Sequence, residues 1–241
     1  MSRQNNASRG PLLCYVTERR SLTEVNPAEQ LQALLSKIEA AVEAGVDWIQ
    51  IREKDLSGKD CSSLTREALQ RAAKPSAGKT FATRILVNDR LDVALAERAG
   101  GVHLGEKSLP LAESKRLVRN RDELKDFLIG VSCHSLEAAK AAASGGADYL
   151  FFGPVFATPS KAAFGAPQGL DRLAEVCRAV SIPVLAIGGI TLENAADCFA
   201  VGASGIAGIR LFQDARDISS LVQSLRRGAM GGSTPPIPAS V

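Results

Sequence analysis

Eight short apolar runs recur along this chain of 241 residues, and alanine-rich stretches with helical periodicity separate them. Short apolar runs are typical of strands that are buried on both faces, as in parallel sheets. Parallel strands need a crossover helix between them, and the alternation supplies one each time. The pattern therefore predicts an α/β chain that folds as a closed (β/α)8 TIM barrel rather than an open doubly wound sheet. The predicted strands are Leu12–Val16, Trp48–Ile51, Ile85–Val87, Gly101–Leu104, Leu128–Val131, Tyr149–Phe152, Val184–Ile187 and Gly205–Ile209.

Start and stop signals accompany the predicted helices. Pro27 suits the first position of a helix, and Gly45 is a stop signal at the end of the same amphipathic stretch. Ser57 opens a capping-box-like segment before the next helix. The residues expected to cap or begin helices are Asn26, Ser57, Ser108, Ser135 and Thr191.

No linker or change of composition divides the chain, so we expect a single barrel domain over residues 11–228. The polar beginning and the glycine- and proline-rich end predict disordered segments at residues 1–10 and 229–241. The beginning lacks the apolar core of a signal peptide, and no apolar run reaches the ~18 residues of a membrane span. The five cysteines form no CxxC pair, which fits free thiols in a reducing compartment. These features predict a cytoplasmic protein.

The basic residues are dispersed, and the net charge is only +3. Neither a nucleic-acid-binding stripe nor a polybasic membrane patch is present, so we expect no nucleic acid and no membrane as a partner. A slight basic balance is compatible with anionic ligands, which here means phosphorylated small molecules. The sequence leaves open whether the chain forms a homo-oligomer.

Polar residues follow the second predicted strand, at the end of a barrel where function gathers. Gln50, Arg52 and Lys54 alternate along the chain and therefore share one face. Three polar side chains on an inner face are costly to bury unless a ligand or a partner satisfies them. An Arg and a Lys together suit a pyrophosphate, the Arg as a planar fork and the Lys as a point charge. The alternative is a salt-bridge layer that closes the barrel.

Asn88 and Asp89 follow the third predicted strand. One interpretation is structural, because Asn88 can cap the next helix and Asp89 can lie at its positive end. The other makes Asp89 a magnesium ligand, since Mg²⁺ takes one or two carboxylates together with phosphate oxygens.

Two polar residues after the fifth predicted strand, Ser132 and His134, share one face by alternation. Activation of a nucleophile here would need an acidic residue that orients the histidine, and none is identifiable nearby. Phosphate contact by Ser132 is therefore the preferred interpretation. His134 is then a substrate contact or a proton shuttle. His103, on the fourth predicted strand, is expected to be a packed or hydrogen-bonded histidine.

The loops after the sixth and seventh predicted strands carry features of an anion site. Thr158, Ser160 and Lys161 place two hydroxyls beside a cation on a loop long enough to act as a lid. Gly188 and Gly189 let backbone N–H groups approach a phosphate. The loops after strands seven and eight form the recurring phosphate site of (β/α)8 barrels.

Taken in chain order, these segments resemble the thiamine phosphate synthase family over about Leu12 to Phe212. The resemblance implies a transferase that joins an aminopyrimidine-methyl pyrophosphate to a thiazole phosphate. In that family, loss of pyrophosphate gives a pyrimidine-methyl cation, which the thiazole nitrogen captures. The matching segments are Gln50-x-Arg52-x-Lys54, Asn88-Asp89, Gly130-Val131-Ser132-x-His134, Gly153-Pro154 with Thr158-x-Ser160-Lys161, and Ile187-Gly188-Gly189-Ile190.

The resemblance also implies roles for individual residues, and a cation-rich, metal-assisted site is what the departure of a charged group requires. The implied ligands are Gln50 and Asn88 for the pyrimidine; Arg52, Lys54, Ser132 and Lys161 for the pyrophosphate; Asp89 for Mg²⁺; and Thr158, Ser160, Gly189, Ile209 and Arg210 for the thiazole phosphate, the last three through backbone groups. The residues expected to act in catalysis are Arg52, Lys54, Ser132, His134 and Lys161.

One segment departs from the family pattern. The family usually has Gly-Gln-x-Asp after strand four, and its Asp is the second magnesium carboxylate. This chain has Gly105-Glu106-Lys107-Ser108, so that carboxylate is missing. Either Asp89 suffices with phosphate oxygens and water, or Glu106 substitutes, or the chemistry differs.

Two other functions are weighed against the synthase. A related thiazole tautomerase has the same fold and would use His134 for proton transfer, and the segments 133–137 and 149–156 resemble that branch too. The complete Gln50, Arg52, Lys54, Asn88 and Asp89 set favours the synthase, because a pyrophosphate-bearing second substrate requires it. A non-catalytic sensor of phosphorylated ligands would not need these groups to act together.

Overall fold

The computed structural model describes residues 10–22, 26–73, 82–119, 121–158 and 166–230. Eight parallel strands close a barrel in chain order, with β8 paired to β1. The predicted (β/α)8 fold is confirmed. The strands are β1 Leu12–Val16, β2 Trp48–Ile51, β3 Arg84–Asn88, β4 Gly101–Leu104, β5 Leu128–Cys133, β6 Tyr149–Phe152, β7 Val184–Ile187 and β8 Gly205–Gly208.

Helices follow the strands and form the outer layer. Short 3₁₀ turns occur at Arg19–Ser21 and Asp122–Leu124. The helices within the described ranges are α1 Pro27–Ala44, α2 Gly58–Ala72, α3 Leu91–Ala96, α4 Leu111–Val118, α5 Leu136–Ser144, α6 Gly169–Ala179, α7 Ala195–Ala200, α8 Arg210–Gln213 and α9 Ile218–Met230.

Three strands differ from their predicted bounds. β3 gains one residue at each end, β5 continues to Cys133, and β8 ends one residue early at Gly208. Three of the four added residues, Arg84, Asn88 and Ser132, are polar, and each pairs with a neighbouring strand, as Asn88 does with His103 and Ser132 with Phe151. An apolar pattern cannot detect such residues, because the neighbouring strand and not the side chain decides that the ladder continues.

Local capping signals are confirmed where their partners are close in sequence. Asn26 caps α1 by accepting a hydrogen bond from Ala28 N, and Gly45 ends the helix with a φ of 80°. Ser57 and Ser135 cap α2 and α5 by accepting from backbone N–H groups three residues further on.

Ser108 and Thr191 do not begin helices, so these two predictions are wrong. α4 starts at Leu111, and the Ser108 hydroxyl contacts the carboxylate of Asp89 instead. α7 starts at Ala195, because Thr191 N donates to Asn194 Oδ1 and closes a turn first.

Side chains from the strands fill the barrel interior. Leu12, Cys14 and Val16 of β1 lie in this inner cluster together with Trp48 and Tyr149. The alternate residues of β1 pack outward against the helices. This alternation follows from the period of two in a strand, and it directs polar residues at the strand ends into the mouth of the barrel.

Arg226 of α9 binds the segments that precede β1 and β2, at the end of the barrel where the strands begin. Its guanidinium donates to Pro11 O at 3.1 Å, to Gly45 O at 2.9 Å and to Asp47 Oδ2 at 3.1 Å.

α9 continues two residues beyond the predicted domain end at residue 228, so residues 229 and 230 are helical. Gly10 is also described. The remainder of the two predicted disordered segments, residues 1–9 and 231–241, lies outside the described residues. In the described part of the chain, no helix combines the length and the apolar character that a bilayer crossing requires.

Candidate active site

A chain of hydrogen bonds links Gln50, Asn88 and Asp89 at the ends of β2 and β3. Gln50 Nε2 donates to Asn88 Oδ1 at 2.7 Å, and Asn88 Nδ2 donates to Asp89 Oδ2 at 2.7 Å. A carboxylate only accepts hydrogen bonds, so Asp89 fixes the orientation of the Asn88 amide, which in turn fixes that of Gln50. The structure thus brings together the three residues that the sequence predicted for the pyrimidine and the metal.

One buried acceptor of Gln50, its Oε1 atom, takes no part in this chain of bonds. Gln50 is only 2% exposed, and its Oε1 atom has no hydrogen-bond partner among the described residues. An unsatisfied buried polar atom costs about 1–3 kcal/mol. A ligand that carries an N–H or O–H group in the barrel mouth would remove this cost.

Asp89 adopts a backbone conformation that is unusual for its residue type. Its φ is 61°, in the left-handed region, which costs a non-glycine residue about 1–3 kcal/mol. Asp89 Oδ1 accepts hydrogen bonds from the Ser108 hydroxyl and, at 3.3 Å, from Gly105 N. The residue before α3 is Arg90, and neither Asn88 nor Asp89 caps that helix. The prediction that Asn88 caps the helix is therefore wrong, whereas Asp89 does lie just before its start.

Arg52 lies at the end of β2 and is paired with a residue that the sequence analysis did not identify. Its guanidinium donates to Glu18 Oε2 at 2.8 Å, and its backbone N donates to Thr17 Oγ1 at 2.9 Å. One quarter of the Arg52 side chain is exposed. Lys54, on the same predicted face, is exposed. For Arg52, therefore, the salt-bridge interpretation describes part of its environment.

The buried carboxylate of Glu53 links the loop after β1 to the loop after β2. The Glu53 side chain is fully buried and accepts hydrogen bonds from Thr17 Oγ1 at 2.7 Å and from Arg19 Nη1 at 3.0 Å. The same guanidinium also donates two hydrogen bonds to Asp55, from Nη1 to Oδ1 at 2.7 Å and from Nη2 to Oδ2 at 2.6 Å. Burial raises the pKa of Glu53, and the bonds from Thr17 and Arg19 oppose that rise. Glu18 lies between the two anchored residues, so this network determines where its carboxylate meets Arg52.

His103 is a buried, hydrogen-bonded histidine, as predicted. Its Nδ1 lies 3.1 Å from Tyr149 Oη, and its Nε2 lies 2.8 Å from Ser132 Oγ. Burial lowers the pKa of His103 to about 3. Burial also raises the pKa of Tyr149 well above its usual value. Both rings are therefore neutral near pH 7, and half-buried Ser132 faces the mouth from one end of this pair.

His134 follows β5 at the rim of the mouth. Its Nδ1 contacts Gly153 O, and its Nε2 lies 3.9 Å from Glu106 Oε1. Glu106 is the acidic neighbour that the sequence analysis could not find, because it belongs to the β4 loop. Glu106 is strongly exposed and points toward His134, whereas Asp89 accepts a hydrogen bond from the hydroxyl of Ser108.

The loops after β6 and β7 are pressed together. Phe156 N donates to Gly188 O at 3.0 Å, and Gly188 and Gly189 have φ values of 92° and 68°. A Cβ on Gly189 would lie 2.6 Å from Ala157 O, so only glycine fits there. This contact is made by Ala157, the residue directly before half-buried Thr158. Ser160 and Lys161 lie outside the described residues.

Two further predicted residues open the segment after β8. Ile209 directly follows the strand, and Arg210 is the first residue of the short α8. β7 and β8 are neighbours in the barrel, which puts this segment next to the glycine pair. Within the described residues, His, Cys, Asp and Glu side chains form no group of three or more that could hold a metal ion.

The fold and the site define a (β/α)8 enzyme whose polar groups and glycine-rich loops meet at the carboxyl ends of its strands, where barrels of this class bind their ligands. The chain belongs to the thiamine monophosphate synthase family, whose sequence model matches residues 22–212.

Individual relatives agree with this assignment. The chain is 44% identical to the thiamine-phosphate synthase of Methanocella arvoryzae over 77% of its length and 82% of that protein. It is 43% identical to the thiamine-phosphate synthase of Chloroflexus aurantiacus, over 78% of this chain and 82% of that one. The solved thiamine phosphate pyrophosphorylase from Pyrococcus furiosus is 32% identical and superposes with a TM-score of 0.74, covering 91% of this chain and 96% of that one.

Proposed function

We propose that this chain is a thiamine-phosphate synthase. It would join the pyrimidine-methyl group of hydroxymethylpyrimidine pyrophosphate to the nitrogen of a thiazole phosphate and release pyrophosphate. The observation that carries the proposal is that the buried Oε1 of Gln50, beside Asn88, has no hydrogen-bond partner in the part of the chain that the structure describes. The amino group of an aminopyrimidine supplies the N–H donor that this acceptor lacks.

The pyrophosphate lies, in this proposal, against the cationic side of the mouth. Its predicted ligands are Arg52, Lys54, Ser132 and Lys161. Arg52 offers a planar fork for phosphate oxygens, and Ser132 lies on β5 with its hydroxyl already oriented by His103. Bond cleavage leaves charge on the departing pyrophosphate, and fixed cations and donors are the main means of stabilising it.

A magnesium ion fits the oxygen atoms that meet at Asp89. The carboxylate of Asp89 and the hydroxyl of Ser108 are in contact, and both are hard oxygen ligands of the kind Mg²⁺ takes. Only one of them is charged, so phosphate oxygens and water must complete the coordination. Glu106 turns toward His134 and is the weaker candidate for the missing carboxylate. When bound, the ion would neutralise charge on the leaving group.

The thiazole phosphate is assigned to the loops after β6, β7 and β8. Thr158 and the backbone of Gly189 lie at the junction of the first two loops, and Ile209 and Arg210 lie next to them. Ser160 belongs to the same predicted set. Binding there would present the thiazole nitrogen to the pyrimidine-methyl cation that forms when pyrophosphate departs.

A second candidate function, thiazole tautomerisation, draws support from His134. Its Nδ1 is held by Gly153 O, so Nε2 points toward Glu106 at the rim of the mouth. An imidazole oriented in this way can carry a proton. The reaction would need neither the amide pair at Gln50 and Asn88 nor Asp89.

The experiment is to incubate the purified protein with both phosphorylated substrates and magnesium and to measure thiamine phosphate. We expect the product to form, and to be lost in Arg52→Ala and Lys54→Ala while the circular dichroism spectrum is retained. Isomerisation of the thiazole phosphate without coupling would assign the protein to the tautomerases instead.

The cytoplasmic location expected from the sequence belongs to this proposal. All five cysteines are free and buried, which fits a reducing compartment.

A further inference from the structure

We infer that Tyr149 and His103 form a buried relay that fixes Ser132 as a hydrogen-bond donor toward the anion in the barrel mouth. The inference rests on the proposed function in one respect, because it identifies that anion as pyrophosphate. Tyr149 and His103 are positioning residues in this relay, and Ser132 is the group that touches the ligand.

The relay crosses a strand that has no side chain at the crossing point. His103 belongs to β4 and Tyr149 to β6, and β5 runs between them. The β5 residue that pairs with both is Gly130. A Cβ on Gly130 would overlap the ring of Tyr149. The missing side chain therefore lets the tyrosine reach His103.

The His103 ring is held in one orientation by its packing. Its centroid lies 4.1 Å from that of Phe151 and 5.5 Å from that of Tyr149. With the ring fixed, Nδ1 must face Tyr149 Oη and Nε2 must face Ser132 Oγ.

The hydroxyl of Tyr149 decides the direction of both bonds. Tyr149 is fully buried, and its Oη has no hydrogen-bond partner other than His103 in the described part of the chain. If Nδ1–H donated to Oη, the phenolic proton would be left buried and unsatisfied, which costs about 1–3 kcal/mol. Tyr149 therefore donates to Nδ1, and the imidazole carries its proton on Nε2.

The proton on Nε2 determines what Ser132 can do. Nε2–H donates to Ser132 Oγ, so the hydroxyl proton of Ser132 is not used inside the barrel. It is available to an acceptor in the mouth, and a phosphate oxygen is such an acceptor. With the opposite tautomer, Ser132 would donate inward and offer only lone pairs, which repel an anion.

The first test reads the tautomer directly. The chain contains two histidines, so protein labelled with ¹⁵N-histidine gives two imidazoles, and His134→Ala leaves the signals of His103 alone. We expect the proton on Nε2 in the parent protein and a shift of population toward Nδ1–H in Tyr149→Phe. Tyr15→Phe is the matched control, because it removes the other tyrosine hydroxyl, which is also buried and contacts Gln213 instead. An Nδ1–H tautomer in the parent protein would overturn the relay.

The second test measures binding of inorganic pyrophosphate with magnesium by calorimetry. Tyr149→Phe should weaken binding roughly 3- to 30-fold, as expected for a compromised bond to a charged group, and Tyr15→Phe should not. In a Ser132→Ala background, Tyr149→Phe should have no further effect, because its influence passes through the serine. An equal loss in both backgrounds would make Tyr149 a merely structural residue and contradict the inference. Neither measurement requires coupling activity, so failure of the proposed function would leave both results interpretable.

Discussion

The guanidinium of Arg52 donates to the carboxylate of Glu18 at 2.8 Å, so the arginine assigned to pyrophosphate already has an anionic partner. The Glu53 network fixes the β1 loop on both sides of Glu18 and keeps that carboxylate in place. A pyrophosphate that binds Arg52 must share the guanidinium with Glu18 or displace it. We therefore expect Glu18 to compete with such a ligand and to hold Arg52 in position before the ligand arrives.

Glu18→Gln should strengthen the binding of inorganic pyrophosphate by a factor of about 1.4 to 5, because a partly exposed ion pair is worth about 0.2–1 kcal/mol. Calorimetry with magnesium present measures this change. Glu97→Gln is the matched control, since it removes the carboxylate of another ion pair, with Arg66, on the outer helical layer. Weaker binding in Glu18→Gln would mean that the carboxylate positions Arg52 more than it competes.

Asp89→Ala and Asp89→Gly should both abolish coupling, and removal of magnesium with a chelator should have the same effect. The two variants should differ in stability, because glycine tolerates the positive φ at this position and alanine does not. We expect the free energy of unfolding of Asp89→Gly to exceed that of Asp89→Ala by about 1 kcal/mol. Urea denaturation and a coupling assay test this, and coupling that survives in either variant would remove Asp89 from the metal site.

His134→Ala should reduce the rate of coupling only a few-fold. A general acid or base contributes about 10²–10⁴ in rate, so a loss of that size would place His134 at a proton-transfer step. Steady-state kinetics with both substrates distinguishes the small loss expected of a substrate contact from the large loss expected of a proton-transfer group. A large effect of His134→Ala together with indifference to chelator would favour the tautomerase.

Gly130→Ala should destabilise the fold, since the added methyl group would overlap the buried ring of Tyr149. Overpacking of this kind costs about 1–3 kcal/mol. Gly228→Ala on α9 is the control, because its Cβ would meet nothing closer than 4.0 Å and alanine favours a helix. Comparable stability of the two variants in urea would show that Tyr149 can move away from β5.

Acidification should destabilise the parent protein more than His103→Asn. The pKa of His103 is about 3 in the fold and 6.5 when unperturbed, so between these values the unfolded state binds the extra proton. The stability due to this group is complete above pH 6.5 and is lost as the pH falls toward 3, by about 1.4 kcal/mol per pH unit. Urea denaturation from pH 7 to pH 4 measures the difference, and parallel curves for the two proteins would contradict it.

The sequence predicted those parts of the fold that depend on neighbours along the chain. β1 and β2 have their predicted bounds, and Asn26 and Ser57 cap helices because their partners lie two or three residues away. Ser108 failed as a cap for the opposite reason. Its partner, Asp89, lies 19 positions away and meets it only when β3 and β4 are side by side.

The candidate site divides in the same way. Alternation placed Gln50 and Arg52 on one face, and the structure joins Gln50 to Asn88 as expected of neighbouring strand ends. Glu18 went unnoticed because its partner is 34 positions away. A lone glutamate after a strand carries no pattern. The link between His103 and Tyr149 was equally invisible, since it spans an intervening strand.

The pairing of β1 with β8 and the bond from Arg226 to Pro11 have a consequence for how the protein is made. That bond joins residues 215 positions apart, and β1 also needs β8 as its second neighbour. During synthesis, β1 therefore leaves the ribosome long before either partner exists, and one of its two edges stays open until residues 205–226 have been translated. Contacts of such long sequence separation form late and slowly. Until then the nascent chain exposes an apolar strand edge, which makes this interval the period in which the protein most needs protection from aggregation.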